Sequence, residues 1–374
     1  MDWPLSGIRV FELGSSVAAP YGASILAELG AEVIKVEKPE GDDARHWVPY
    51  WHEISTVFRA LNRNKKSVSV TMRDEAERTR LKTLIVETGD VVLQNMRPGT
   101  VEKLGLDGES LRALNPRLIY CNMGAFGRTG PRRDKPGYDP LMQACGGIMS
   151  ITGEEGRAPV RVGPSIVDMG TGMWAAIGIL GALRMRDRTG QGCVVDTSLF
   201  ETAVGWMTNQ SSTYHGTGEV AGRRGSGTRG MAPYQAFECS DGYLILAAPN
   251  DKLFRLAAEV LGHPEWPSDP RFASNPLRVE NRDTLCPLIE SIMRTKSRAH
   301  WQERLDAAGV PNAPIQSMDE VATDPQTQAL GMIQETADGK FRLVGIPVAF
   351  DGRRPPLRTA GPRIGEHNKE FFGE

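Results

Sequence analysis

An aspartate in the middle of the chain stands where a carboxylate can do covalent chemistry. Asp168 follows an extended apolar segment, residues 160–167, and precedes a small, apolar stretch, residues 169–186, with helical periodicity. At such a junction we expect a helix N-cap, where the side chain accepts a backbone N–H and the helix dipole favours an ionised carboxylate at neutral pH. Gly170 and Gly172 predict room beside it. A structural cap and a nucleophile on a rigid helix both stay open.

The segments before this aspartate predict a parallel α/β sheet. Residues 8–13 have the pattern of a buried strand, residues 21–29 that of a short helix, and residues 31–37 that of a second strand. This βαβ order gives parallel strands. The first turn, G-S-S-V-A-A-P, lacks the G-x-G-x-x-G fingerprint, which argues against nicotinamide binding. Further strands are expected along the chain, at residues 91–93, 117–126 and 192–199.

The C-terminal part predicts a second, smaller domain. A Gly- and Arg-rich segment at residues 213–230 has the composition of a linker, and residues 234–248 have the pattern of a hairpin followed by helices. A late strand at residues 341–350 is expected to return to the large domain. The expected domains are a large Rossmann-like one of residues 1–200 and 325–374, a linker at 201–230, a small α+β domain at 231–310 and a return linker at 311–324.

Composition limits the classes of function. With 374 residues, a net charge of −2 and 24% charged residues spread along the chain, we expect no nucleic-acid partner. The longest strongly apolar run, residues 173–183, is too short to span a bilayer, so we expect no membrane partner. Five widely spaced cysteines without a C-x-x-C pair indicate reduced thiols and a cytoplasmic protein, and six scattered histidines indicate no metal site.

Four segments, in order, resemble one known family. G-D-x-x-R at residues 41–45, D-V-V-L-Q-N-M-R-P-G at 90–99, G-Y-D-x-x-x-Q-A at 137–144 and G-P-x-x-x-D-x-x-T-G at 163–172 are similar to segments of the family III CoA-transferases, the formyl-CoA, carnitine and bile-acid CoA-transferase type. The resemblance implies a Rossmann-like large domain with a parallel sheet, a smaller α+β domain, and two ring-like chains threaded through each other as an interlocked homodimer.

The resemblance also implies the site. It makes Asp168 the nucleophile, and it assigns CoA contacts to Ser15, Ser16, Val17, Ala18, Lys38, Asn95, Met96, Arg97, Lys103, Arg133, Lys135 and Asp139. A glycine loop with Gly225, Gly227 and Gly230 would cover the activated aspartate and exclude water; a flexible linker is the alternative. A solvated loop remains open for Lys38, and a plain surface charge for Arg97. No permanent cofactor is implied, since a CoA thioester is the substrate.

The implied activity moves CoA from an acyl-CoA donor to a free carboxylic acid acceptor. The α-methylacyl-CoA racemases share this resemblance, but they carry a catalytic His where this chain has Tyr138, and a tyrosine with a pKa near 10 is a poor base at neutral pH. A CoA-binding protein without activity is the third possibility. The donor acyl group and the acceptor acid are not predicted.

Overall fold

Residues 3–373 of the chain are described by a computed structural model, and they form two compact units. The large unit contains the residues up to Ile148, Arg161–Val220 and the residues from Pro325 onwards. The small unit contains Met149–Val160 and Ala221–Asp324.

A six-stranded, fully parallel sheet forms the centre of the large unit, as the βαβ pattern predicts. The strands of the first 200 residues are β1 (Arg9–Leu13), β2 (Glu32–Glu37), β3 (Tyr50–Trp51), β4 (Ile54–Ser55), β5 (Lys66–Ser69), β6 (Val91–Gln94), β7 (Ile119–Gly124) and β8 (Val194–Ser198). Their order in the sheet is β5-β2-β1-β6-β7-β8, while β3 and β4 form a separate antiparallel pair. The chain therefore reverses its direction of winding between β1 and β6, which is the usual place for a ligand in an open α/β sheet.

Helices of the large unit cover both faces of this sheet. They are α1 (Ala18–Glu28), α2 (Thr56–Asn62), α3 (Glu75–Thr88), α4 (Thr100–Leu104), α5 (Gly108–Leu114), α6 (Asp139–Cys145), α7 (Ile148–Ile151, at the boundary between the units), α8 (Ile166–Thr189), α9 (Leu199–Trp206) and α10 (Thr208–Thr217), with a 3₁₀ turn at Asp43–His46. One core lies between the sheet and the α1–α8 side, with Val10, Val33 and Ile179 fully or almost fully buried. The second core, on the other face, contains Phe11 and Ile34.

Helices α9 and α10 occupy residues that the sequence assigns to a linker beginning at residue 201. Ser198 caps α9 by accepting the N–H of Glu201 at 3.2 Å, and the buried residues of α9 include Thr202 and Ala203. Residues 201–217 are therefore helical rather than irregular, because the apolar side of α9 packs into the core; irregular backbone begins at Gly218, which is left-handed.

The small unit is built on a three-stranded antiparallel sheet with its own apolar core. Its strands are β9 (Tyr234–Cys239), β10 (Gly242–Ala247) and β11 (Asn312–Pro314), in the order β11-β10-β9. Its helices are α11 (Asp251–Val260), α12 (Asn275–Glu280), α13 (Arg282–Met293), α14 (Arg298–Ala307) and α15 (Met318–Thr323), with a 3₁₀ turn at Trp266–Ser268. The hairpin and helices match the sequence pattern of residues 234–308.

The last part of the chain does not return a strand to the large sheet. After α16 (Pro325–Ala329), strands β12 (Ile333–Glu335) and β13 (Arg342–Val344) pair only with each other, and α17 (Asn368–Phe372) follows. The expectation that residues 341–350 add a strand to the large sheet is therefore wrong. The edge strand of that sheet is β5, and the backbone N–H groups of Ser67 and Ser69 in β5 donate to the side chains of His367 and Asn368 instead of to another strand.

Candidate active site

Asp168 lies inside the first turn of α8 rather than at its N-cap. The helix begins at Ile166, and Ser165 is the N-cap residue, without a side-chain cap hydrogen bond. Residues 160–165 are irregular rather than a strand. The N-cap expectation is therefore wrong, because the chain turns into helix before the aspartate. The half-buried carboxyl group still lies at the end of the helix that carries partial positive charge.

A second carboxylate, Asp139, supplies the missing cap from another part of the chain. Its Oδ2 accepts the backbone N–H of Val167 at 2.8 Å and that of Asp168 at 3.2 Å. Its Oδ1 accepts the side-chain amide of Gln143 at 2.6 Å, and the side chain is buried. Asp139 thus fixes the first turn of α8, on which Asp168 is carried.

The glycines beside Asp168 make room for neighbouring helices. A Cβ atom on Gly172 would lie 2.7 Å from the carbonyl oxygen of Ala18 and 2.8 Å from the nitrogen of Gly22, both in α1. A Cβ atom on Gly170 would lie 3.0 Å from Thr202 and Trp206 in α9. The expectation of open room beside the carboxylate is therefore wrong at these glycines, because α1 and α9 approach α8 there, at the level of Asp168.

The turn after β1 faces the same region and is held on two sides. Asn95, after β6, accepts the N–H of Ser15 at 3.0 Å and donates to its carbonyl oxygen at 2.9 Å. On the other side Asp42 accepts the N–H of Ser16 at 3.0 Å. Ser16 has a φ of 68°, which is left-handed and uncommon for a residue with a Cβ atom. The turn is therefore a fixed part of the site.

These elements enclose a cavity of about 360 Å³ at the carboxyl ends of β1, β6 and β7. Asp168 lines it together with the turn after β1 and the segment after β6. The predicted residues that it brings together are Ser15, Ser16, Val17, Ala18, Asn95, Met96, Arg97, Lys135 and Asp168. Eight of the twelve proposed CoA contacts and the nucleophile Asp168 therefore line this cavity. They come from four separate segments of the chain, which meet at the switch point of the sheet.

The environment of Asp168 changes its acid–base behaviour. Burial of the carboxyl, and then the negative charge of Asp139, raise the pKa of Asp168 from 3.8 to about 7. The expectation of a fully ionised carboxylate at neutral pH is therefore wrong, since the protonated and ionised forms are both populated near pH 7. A carboxylate with a raised pKa, beside a cavity, is a typical feature of a catalytic group.

Comparison with known proteins identifies the family. A profile of CoA-transferase family III matches residues 5–368. The chain belongs to CoA-transferase family III. It is 36% identical to an acetyl-CoA:oxalate CoA-transferase of Acetobacter aceti, over 98% of this chain and 96% of that protein. It is 36% identical to a succinate–glutarate CoA-transferase of Agrobacterium fabrum, over 99% of this chain and 95% of that protein.

Solved structures agree with the family assignment. The crystal structure of a CAIB/BAIF family protein from Brucella suis superimposes with a TM-score of 0.93 at 39% identity, covering 100% of this chain and 99% of that one. Family III CoA-transferases exchange CoA between acyl-CoA thioesters and carboxylic acids, and this chain is a CoA-transferase.

The remaining predicted cations of this CoA-transferase lie outside the cavity lining. Lys38 is exposed and pairs with Asp43 at 2.8 Å, and Arg133 is exposed and pairs with its neighbour Asp134 at 3.3 Å. Lys103 is exposed in the last turn of α4. Asp139 is buried under the helix rather than in the lining.

The glycine-rich segment belongs to the small unit, where hydrogen bonds hold it. Gly225 has a φ of 58° and donates its N–H to the carbonyl oxygen of Gly153 at 2.8 Å. The carbonyl oxygen of Gly230 accepts the side chain of Asn275 at 2.8 Å. A Cβ atom on Gly227 would lie 3.3 Å from the carbonyl oxygen of Arg224, which is tight. These contacts give the segment a defined conformation within its unit.

Some residues of the CoA-transferase site were not predicted. Trp47, Asp43 and Leu199 line the cavity. A signal existed for Trp47, which lies two residues after G-D-x-x-R and places a large aromatic ring in a polar loop; it is 38% exposed. For Leu199 the sequence contains no signal, because this residue follows β8, the edge strand of the sheet, and no motif includes it.

A larger open depression of about 1190 Å³ lies elsewhere in the large unit. Its lining includes Arg45, Arg59 and Phe341 but not Asp168 or the turn after β1. The smaller cavity is the candidate active site because the carboxyl group with the raised pKa lines it.

Proposed function

We propose that the chain transfers CoA through covalent intermediates on Asp168. The observation that carries the proposal is the position of this carboxyl, which lines a cavity at the switch point of the sheet and has a raised pKa. An ionised carboxylate oxygen is a sufficient nucleophile toward a thioester when both are held in the same site.

The proposed sequence of steps conserves activated acyl groups. A carboxylate oxygen of Asp168 attacks the donor carbonyl carbon, the C–S bond breaks, and CoA leaves as thiolate from a mixed anhydride. The thiolate attacks the aspartyl carbonyl, which gives an aspartyl-CoA thioester and frees the donor acid. The acceptor carboxylate attacks that thioester, giving a new anhydride and thiolate. The thiolate then attacks the acceptor carbonyl and regenerates Asp168. No ATP is consumed, because each step exchanges one activated acyl group for another.

Backbone N–H groups at the start of α1 are the proposed oxyanion donors. The N–H groups of Ser15 and Ser16 are used by Asn95 and Asp42. Val17 and Ala18 line the cavity, and within residues 3–373 we find no acceptor for their N–H groups. The first N–H groups of a helix lack intrahelical partners, so these two are suited to a developing negative charge.

The CoA moiety is proposed to bind along the carboxyl ends of the large sheet. Arg97 and Lys135 in the lining are placed to meet phosphate charge, and Lys38, Lys103 and Arg133 are proposed as outer contacts. Met96 offers an apolar surface for adenine. The glycine loop, Gly225 to Gly230, is proposed as the lid that keeps the anhydride dry.

A small dicarboxylate is the proposed acceptor class. The relatives are named for oxalate, glutarate, D-citramalate and mesaconate, and several for succinyl-CoA as donor. An acceptor screen with succinyl-CoA and acetyl-CoA, read by mass spectrometry of the CoA products, tests this class. Transfer only to monocarboxylic acids would contradict it.

The nucleophile is tested by trapping. Donor acyl-CoA without acceptor, followed by hydroxylamine, should convert the intermediate to a hydroxamate. Trypsin releases the peptide of residues 162–184, in which Asp168 is the only side-chain carboxylate. The mass change should appear there and require acyl-CoA. Asp168→Ala should lose turnover by on the order of a thousandfold. A label on the peptide that carries Asp139, or an active Asp168→Ala variant, would contradict the mechanism.

A racemase activity has less support. Tyr138 is 65% exposed and lines the cavity, and the described lining contains no histidine. Incubation with a 2-methylacyl-CoA in heavy water should therefore give no enzyme-dependent α-deuteration. Deuterium uptake would reverse this order of preference.

An interlocked homodimer and a cytoplasmic location are proposed on separate grounds. Exposed apolar side chains on α8 and α9, including Trp174 at 48% and Trp206 at 45%, form a surface that a second copy would cover.

The five cysteines are free thiols, as expected in a reducing compartment. Helix α8 has the length and composition of a membrane span, but half of its apolar window is buried inside the protein, as in a core helix.

A further inference from the structure

Four ionisable side chains are buried together behind the turn that lines the active site. Glu12 and Lys35 lie opposite each other on β1 and β2 and are 0% exposed, while Lys65 is 3% and Asp42 5% exposed. We call these four residues the turn-anchoring cluster. They do not line the cavity, so contact with a substrate does not explain them.

Lys35 lies at the centre of the turn-anchoring cluster. Its Nζ is 2.8 Å from Glu12 Oε1 and 2.8 Å from Asp42 Oδ2. Burial by itself would lower the pKa of Lys35, but the carboxylates of Glu12 and Asp42 outweigh it and raise the pKa above its usual range. Lys65 completes the cluster, with its Nζ 2.6 Å from Glu12 Oε2.

Three residues of the cluster each form a hydrogen bond with a backbone group of one short segment, residues 14–20. Lys35 donates to the carbonyl oxygen of Gly14 at 3.0 Å, and Asp42 accepts the N–H of Ser16 at 3.0 Å. Lys65 donates to the carbonyl oxygen of Pro20 at 2.8 Å. The segment between these points contains Val17 and Ala18, the proposed oxyanion donors.

The conformation of Ser16 explains why such an arrangement is needed. A serine at a φ of 68° is disfavoured, and it persists only where its surroundings hold it there. The hydrogen bond to Asp42 holds the N–H of this residue, and Asp42 is in turn held by Lys35 and by the N–H of Ala44 at 2.9 Å. Without the hydrogen bond to Asp42, we expect Ser16 to leave the left-handed conformation, and the N–H groups that follow it to point in another direction.

We propose that Asp42 and Lys35 are positioning residues for CoA transfer. By keeping Ser16 left-handed they fix the N–H groups of Val17 and Ala18 against the carbonyl that reacts with Asp168. This inference rests on the proposed function. A positioning role would also explain why these charges are buried, since an ordinary buried ion pair contributes little net stability compared with an apolar replacement.

The test is a double-mutant cycle between residues 42 and 16. Asp42→Ala should lower kcat by on the order of 30- to 100-fold, as misplaced oxyanion donors do, and change the KM for the donor by less than about threefold. Glycine adopts a positive φ without a Cβ penalty. In a Ser16→Gly background the same change should therefore cost less than about tenfold, relative to Ser16→Gly alone.

Asp90→Ala is a matched control. Asp90 also accepts a backbone N–H, that of Arg9 at 2.8 Å, and also pairs with a buried cation, Arg186 at 2.9 Å, but at the amino ends of the strands. It should lower the melting temperature about as much as Asp42→Ala while leaving kcat within about twofold of wild type. Asp42→Asn, which keeps the acceptor oxygen but loses the charge, replaces Asp42→Ala in the same cycle if the alanine variant does not fold.

The outcomes separate the two proposals. If Asp42→Ala costs the same factor in both backgrounds, or no more than Asp90→Ala, the positioning role is wrong and the cluster only stabilises the fold. If Asp168→Ala keeps its activity in the same assay, the covalent mechanism is wrong instead. An inactive Asp168→Ala together with coupling between residues 42 and 16 supports both.

Discussion

At the scale of single residues, the central feature is a carboxyl group whose pKa lies near neutral pH. Burial and the charge of Asp139 raise the pKa of Asp168 to about 7. The same burial that raises the pKa leaves the ionised oxygen less solvated than that of a surface aspartate, which favours the nucleophilic role proposed for it.

The pH dependence of the reaction should report this group. Only the ionised form attacks, so kcat/KM should fall about tenfold for each pH unit below about 7 and level off above it. Initial rates between pH 5 and 9 check this, measured without carboxylate buffers such as succinate or acetate, because these acids could themselves accept CoA. A flat profile down to pH 5 would show that the free enzyme keeps Asp168 ionised there.

The stability of the protein should change in the opposite direction. The folded-state pKa of Asp168, about 7, lies above the unfolded value of 3.8, so the native state binds the extra proton and loses stability as pH rises through this window. Asp168→Asn should therefore be more stable than wild type by about 1–3 kcal/mol at pH 8, after allowance for partial exposure, and nearly equal to it at pH 4. Thermal unfolding at the two pH values measures the difference; equal stabilisation at both would exclude an ionisation effect.

At the scale of elements, the contact between α1 and α8 sets the position of the site. Gly172 lets the backbone of α8 meet that of α1, and neither Ala18 nor Gly22 can move a backbone atom without moving the helix. The proposed oxyanion donors at the start of α1 and the proposed nucleophile in the first turn of α8 are therefore held at a fixed position relative to each other.

A methyl group at this contact should disturb both stability and activity. Gly172→Ala should destabilise the protein by about 1–3 kcal/mol, because its Cβ would lie 2.7 Å from a carbonyl oxygen. Gly216→Ala in α10, where a Cβ meets no atom within 4 Å, is the control and should be neutral or slightly stabilising. Denaturant unfolding and hydroxamate trapping measure the two effects. Equal stability of the two variants would contradict a close helix contact.

At the scale of the whole molecule, the exposed apolar side of α8 and α9 is the feature that a single chain leaves unexplained. Trp174, Ile177 and Trp206 are each close to half exposed, although large apolar side chains are normally buried. A second copy of the chain is the proposed cover for this surface.

Charges on this surface should prevent the dimer from assembling. Wild-type protein should remain a dimer at nanomolar concentration, since an interlocked interface exceeds the standard size of about 1,600 Å². Trp174→Glu combined with Ile177→Glu should shift the species seen by mass photometry toward the 40.9 kDa chain. Leu114→Glu, at a 59% exposed leucine on α5, is the control and should stay dimeric. A monomeric wild-type chain would contradict the dimer.

The sequence by itself determined the class of fold and the family. Strand and helix patterns depend on neighbouring residues, so the parallel βαβ order, the hairpin after residue 230 and the helices that follow it were predictable from local periodicity. The ordered motifs predicted the family that the comparisons confirm, and they pointed to Asp168.

Only the tertiary structure decided how that aspartate is held. The cap on its helix comes from Asp139, the room beside it serves α1 and α9, and the residues behind the turn, Lys35 and Asp42, belong to other strands and loops. A pKa near 7 results from the burial produced by these contacts. No local pattern contains such information, because the free energy of a charge depends on atoms that are distant in the chain and close in space.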